Sequence, residues 1–219
     1  MLRQIVRWIR NKGRNIRNLD LRRNVKYRNI SLITSNCIGG IMYHDMGLQF
    51  CSPTINLFFH PDDFITFCEC ISNFKGKGRY SCTQVYEDGI SYPIGEFTCV
   101  VNNENKVFRC HFMHYKTYEE ALNKWKQRAE RIELDKIFII MTDTECTEEH
   151  LNKFQALTWK NKIFVTSNKQ WKDKENVAYI GAYRNDKINR LLTSYQGVLG
   201  KRYIDNFNYV KWINKAMGN

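Results

Sequence analysis

The spacing of apolar positions changes several times along the chain. Leu2, Ile5, Val6, Ile9 and Ile16 recur at helical spacing, with Trp8 at the edge of the stripe and Arg3, Arg7, Arg10, Arg14 and Arg17 gathered to one side. That pattern predicts a basic amphipathic helix within residues 1–28. Beyond it, short apolar runs alternate with helical stretches. Strands are expected at 30–34, 54–59, 82–86, 97–101, 107–112, 137–141, 163–166 and 177–180, and helices at 61–73, 118–133, 148–157 and 207–217.

Local chemistry supports several of these elements. Pro61 suits a first helical position, with Asp62 and Asp63 complementing the helix dipole. Thr117 and Glu120 have the spacing of a capping box. Asp88-Gly89 and Asn102-Asn103 punctuate the strands between residues 80 and 112, so that section reads as antiparallel and inserted between βα units. The expected fold is therefore α/β: a Rossmann-like layered arrangement with a mixed sheet and an inserted antiparallel section, preceded by the basic helix. Residues 1–28 form the arm, and 29–219 an α/β domain or two lobes sharing a cleft.

Composition narrows the possibilities. Of the 219 residues 43% are hydrophobic and 14% aromatic, with only three prolines, which excludes a largely disordered chain. The eight cysteines include no Cys-x-x-Cys pair, and no secretory-signal pattern opens the sequence. Reduced thiols in a cytoplasmic protein fit better than a disulfide framework or a zinc knuckle.

Charge changes the picture of the arm. Ten Lys and Arg but one acid, Asp20, fall within residues 1–28, which therefore carry +9 of the net +12. Such a helix suits the anionic inner face of a cell membrane as a peripheral anchor. A helix packed on the domain and a phosphate-binding arm are the alternatives, and no recognised nucleic-acid-binding motif accompanies the basic run.

Candidate chemistry gathers in two places. The first is Ser35-Asn36-Cys37-Ile38-Gly39-Gly40, where an apolar run ends in small residues, followed by His44 and Asp45. A thiol at a strand-to-helix turn is favoured as thiolate, a neighbouring imidazole takes its proton, and glycine N–H groups admit an oxyanion. Cys37 as nucleophile with His44 or His114 as base follows, and the opposing reading is a buried cysteine at a turn. The same Gly39-Gly40 turn could instead cradle a diphosphate. The second place is Cys110-His111-Phe112-Met113-His114-Tyr115, where His111 and His114 reach one site only if the strand ends between them. A metal there would need His44 or Asp45 as a further ligand. On the following helix Trp125, Arg128 and Arg131 fall three apart. The arginines could share an anion or pair with nearby glutamates, and Trp125 reads as core.

Together "SNCIGGIMYHDMGLQFCSPTINLFFHPDDFITF", "YPIGEF", "HFMHYKTYEEALNKWKQRAERI", "KIFIIMTDTECT" and "NKIFVTS" resemble, in order, a bacterial domain-of-unknown-function family whose members are often labelled exopolysaccharide biosynthesis proteins. That family's first motif usually reads Ser-Asn-Asn-Cys-Trp-Gly-Gly; this chain has one asparagine fewer and Ile38 in place of tryptophan. The resemblance implies a Rossmann-type fold and a role in making surface polysaccharide.

The reading is a transferase moving an acyl group, such as acetyl, to a sugar hydroxyl. Acyl-CoA would be the donor, a saccharide or lipid-linked sugar the acceptor, with no tightly bound cofactor or metal. Cys37, His44 and His114 carry the chemistry in this reading. Ser35, Asn36, Gly39, Gly40, Asp45, His111, Tyr115, Arg128 and Arg131 bind substrate. Glycosyl or sugar-phosphate transfer from a nucleotide-sugar is the alternative, and a non-catalytic binding module of the assembly machinery is the third.

Overall fold

Ile137–Thr142 (β5) is buried at every position, as expected of a strand covered on both faces by helices. The computed structural model describes residues 1–75, 80–185 and 188–218. In it β5 lies second in a four-stranded sheet, flanked by Ser31–Thr34 (β1) on one side and Lys162–Thr166 (β6) then Val177–Tyr179 (β7) on the other. All three pairings are parallel, with Ile33 beside Ile139 and Ile140 beside Ile163. Side-chain alternation then splits the interior in two. Ile33, Ile139, Met141 and Phe164 enter one core with Pro61–Cys70 (α3), Tyr118–Ala129 (α4) and Glu148–Ala156 (α5). Leu32, Phe138, Ile140 and Val165 enter the other with Ile38–Met46 (α2) and Tyr209–Met217 (α6).

The α/β class expected from the sequence is the one found. Tyr80–Val85 (β2), Ile94–Val101 (β3) and Glu104–His111 (β4) make an antiparallel sheet of their own instead of extending the parallel one. Asn102 and Asn103 both take positive φ, 52° and 65°, so the β3–β4 hairpin closes on the two residues that the sequence marked.

One expected strand is replaced. Residues 54–59 form an irregular strap along the free edge of β1, where Phe59 N–H donates to the Ser35 carbonyl and Thr34 N–H to Thr54 Oγ1. Pro53 supplies no donor at its start, and Asn56 at φ 63° turns the backbone out of the extended region. Only Phe58 pairs in a ladder fashion, with His111 at the end of β4, and so the strap ties the two sheets together. The helix expected at 61–73 ends earlier as α3 and tightens into a 3₁₀ turn, Ile71–Phe74.

The basic helix, Leu2–Asn24 (α1), is seated on the domain along its second half. Arg14 is buried and pairs with Asp45 of α2 at 3.0 Å and with Asp205 at 2.6 Å, while its Nε donates to Asn18. Arg202 joins the same carboxylate of Asp45 from the far end of the chain.

Candidate active site

The loops at the carboxyl ends of β1, β5 and β6 meet in a polar cluster, the place where open parallel sheets present ligand-binding groups. Ser35 Oγ accepts from Thr142 N–H at 3.1 Å, and Asn36 Nδ2 donates to Thr142 Oγ1 at 2.9 Å. Asp143 is held more firmly still. One of its carboxylate oxygens accepts from Thr166 Oγ1, Ser167 N–H and Ser167 Oγ, the other from Tyr183 OH and Arg184. These bonds saturate the carboxylate and make it a brace joining β5 to β6 and the segment after β7.

Two residues on, Glu145 adopts φ 58°, a conformation that costs free energy for a side-chain-bearing residue and recurs at functional sites. Its Oε2 lies 2.7 Å from His60 Nδ1, and both side chains are about half exposed. Because Phe59 is bonded to Ser35, this His60–Glu145 pair stands beside the Ser35-Asn36-Cys37 turn. Behind it lies His111, buried, stacked on Phe58 with ring centres 4.6 Å apart and meeting the His60 ring edge-on at 4.8 Å.

The residues singled out in the sequence are distributed unevenly around this cluster. Cys37 caps α2, and its thiol points to the Leu57 carbonyl at 3.6 Å; burial pushes its pKa up, away from the thiolate form. Asn36 Oδ1 takes the Ile38 N–H, while Gly39 and Gly40 lie in the first turn of α2, where helix N–H groups have no intrahelical acceptor. Gly39 is required there, since a Cβ would come within 2.5 Å of Thr34 Oγ1. His44 is exposed and lies seven residues, about 10 Å, further along the same helix, so it does not meet the thiol. Asp45 is committed to Arg14 and Arg202. His114 is exposed in the turn after β4.

Tyr115 OH donates to the Ile55 carbonyl, and Arg128 donates to Tyr115 and lies over the Phe50 ring. Arg131 donates to the Phe50 carbonyl. Arg128 thus holds the strap that borders the site, through Tyr115 and Ile55, while Arg131 holds Phe50 ahead of it. Cys146, half-buried, donates to the Thr142 and Thr144 carbonyls, and its pKa is pushed up to about 12 by desolvation and by Asp143. Among the described residues no cluster of three or more His, Cys, Asp or Glu is arranged to hold a metal ion. His60 and Glu145 are absent from the sequence-derived site. Their signal is a polar run, Thr142-Asp143-Thr144-Glu145-Cys146, directly after the most apolar strand.

Burial holds His111 neutral, with a pKa down to about 4, and the neighbouring His60 acts in the same direction. An unfolded histidine titrates near 6.5. Between those values the unfolded chain binds the extra proton, so the contribution of His111 to stability is complete above about pH 6.5 and is lost as the pH falls towards 4. The expected size is about 3 kcal/mol. Comparing urea unfolding of the protein and of His111→Phe at pH 7 and pH 4 isolates it from the carboxylates. A stability difference that does not change between the two pH values would exclude this assignment.

A parallel four-stranded sheet with helices on both faces, with a separate antiparallel sheet beside it, defines a layered α/β protein. Within that class the chain belongs to the family described as "Domain of unknown function (DUF1919)", whose pattern matches residues 8–214. A relative in Haemophilus influenzae strain Rd, carrying the description "Uncharacterized protein", is similar over nearly the full chain. The two are 32% identical over 200 residues, 91% of each chain. No helix among the described residues is long and apolar enough to cross a membrane.

Proposed function

We propose that the protein is a transferase of bacterial surface-polysaccharide assembly. In this reading it works peripherally at the inner membrane face and moves an acyl group from acyl-CoA directly to a sugar hydroxyl. The polysaccharide setting rests on the family resemblance. The chemistry rests on one observation, the His60–Glu145 pair at the carboxyl edge of the sheet.

In the neutral tautomer that donates Nδ1–H to Glu145, Nε2 carries the lone pair that a general base needs. Nε2 takes the proton of the sugar hydroxyl as its oxygen attacks the thioester carbonyl. The tetrahedral oxyanion is offered the N–H groups of Gly39 and Gly40. Collapse expels the CoA thiolate, and His60 returns the proton to it. Cys37, with its raised pKa and no imidazole on its thiol, suits a structural role better than that of a nucleophile. The same N–H groups favour a second reading, transfer from a nucleotide-sugar whose diphosphate sits at the start of α2.

Purified protein offered acetyl-CoA and a panel of sugars and nucleotide-sugars tests the assignment. His60→Gln should lower kcat at least a hundredfold with little change in KM, and Cys37→Ser should keep most of the activity. Undiminished turnover in His60→Gln would overturn the general-base role. Inactivity of Cys37→Ser with intact folding would instead install the covalent thiol route. Sugar binding without any transfer would leave a binding module.

A further inference from the structure

The α1 helix is inverted relative to a helix packed for its own apolar burial. Toward the domain it sends Arg14 and Asn18, both buried, while Leu2, Ile5, Trp8, Ile16 and Leu19 stay exposed, Trp8 to 60% and Ile16 to 68%. At 3.6 residues per turn the centres of these two sets lie on roughly opposite sides of the helix. Val6 and Ile9, half-buried, lie at the border of the apolar stripe, and the rest of it faces away from the protein, where hydrophobic side chains gain nothing unless something covers them.

A second segment extends the stripe. Val198 and Leu199 are exposed, 47% and 65%, yet their loop is pressed onto α1. Gly13 meets the Leu199 carbonyl, and Gly200, at φ 71°, meets the backbone of Arg10 and Arg14; a Cβ on either glycine would overlap these atoms. Leu199 and Ile16 line one depression together with Arg17 and Asp20, so chain regions far apart in sequence join the apolar stripe to charged side chains in one surface.

Along the flank of this surface, between α1 and α6, runs a groove of about 730 Å³. Arg17, Lys26, Lys211 and Lys215 line it, against Asp20 and an Asp205 already paired with Arg14.

We propose that the outward stripe of α1, the Val198-Leu199 loop and the cation-lined groove form one docking face for an anionic bilayer surface, with lipid phosphates drawn to the groove. This builds on the peripheral attachment proposed above and identifies the surface responsible. Charge chooses the occupant. A second copy laid stripe to stripe would bring together two segments that each carry, besides the paired Arg14, nine cations and one acid, whereas an anionic leaflet attracts these cations.

The full chain is mixed with phosphatidylcholine vesicles with and without phosphatidylglycerol, and bound protein is measured by co-sedimentation. Binding should be at least tenfold tighter to the anionic vesicles, weaken with salt, and shift the emission of Trp8 to the blue. Ile5→Ser with Trp8→Ser should reduce affinity about tenfold. Lys211→Gln with Lys215→Gln should reduce it several-fold and flatten the salt dependence. All four positions are exposed, so urea midpoints should not move. Equal binding by the stripe variant and the parent would overturn the proposal. So would a dimer that the stripe variant converts to monomer while vesicles remain unbound. Vesicle binding is read without acyl donor or sugar, and transfer is assayed on soluble acceptors, so either reading can fail alone.

Discussion

Replacing Arg14 with alanine is expected to lower the unfolding free energy by about 3–5 kcal/mol, because it leaves the largely buried Asp205 carboxylate without its counter-ion and weakens the pairing of Asp45. The guanidinium is 5% exposed and lies 3.0 Å from Asp45 and 2.6 Å from Asp205. Arg202 still reaches Asp45, but Asp205 loses its buried guanidinium. Arg14→Lys should recover only part of the loss, since an ammonium cannot fork to two carboxylates and to Asn18 at once. Arg3→Ala, on an exposed turn of the same helix, should stay within about 0.5 kcal/mol of the parent. Urea unfolding of the three variants checks the series. A loss below about 1 kcal/mol for Arg14→Ala would show that α1 is an appendage and not part of the fold. By the same reasoning a chain starting at Asn29 should be strongly destabilised, since Arg14 leaves with the helix.

Trp125→Ala should cost a comparable amount, about 3–5 kcal/mol, for a different reason. The indole is 1% exposed and stands among Phe97, Phe67 and Phe74, with ring centres 4.6, 5.4 and 5.7 Å away. It fills the space where α4 closes over the antiparallel sheet and α3. Truncation leaves a cavity lined by rings that cannot collapse into it, and Trp125→Phe should cost less by keeping most of the volume. Calorimetric or denaturant unfolding reads the effect. A normal midpoint for Trp125→Ala would contradict the core assignment.

Much of the architecture is legible from local chemistry. The apolar run at 137–141 is a central parallel strand because only a strand buried on both faces tolerates no polar position. Thr117 caps α4 by accepting from Glu120 N–H, the forward half of the capping box that its spacing indicates. The polar breaks after β1 and β4 both border the strap, which receives the Cys37 thiol at Leu57, Tyr115 at Ile55 and the His111 backbone at Phe58. The strap itself misleads because its alternating apolar residues look like a strand, and a single left-handed asparagine undoes that.

By itself the sequence determined the periods, caps and turns, because each depends on neighbours a few residues apart: the α/β class, the position of the inserted hairpins, and the existence of a basic amphipathic helix. Only the tertiary structure decided which way that helix faces. Asp45, Asp205 and Arg202 are far from Arg14 in sequence, and their combined charge draws its polar side inward against the usual preference for apolar burial. The same holds for the candidate site. His60 and Glu145 are 85 residues apart, and they become partners only because the β1 and β5 pairing sets the ends of two strands, and the loops that follow them, side by side.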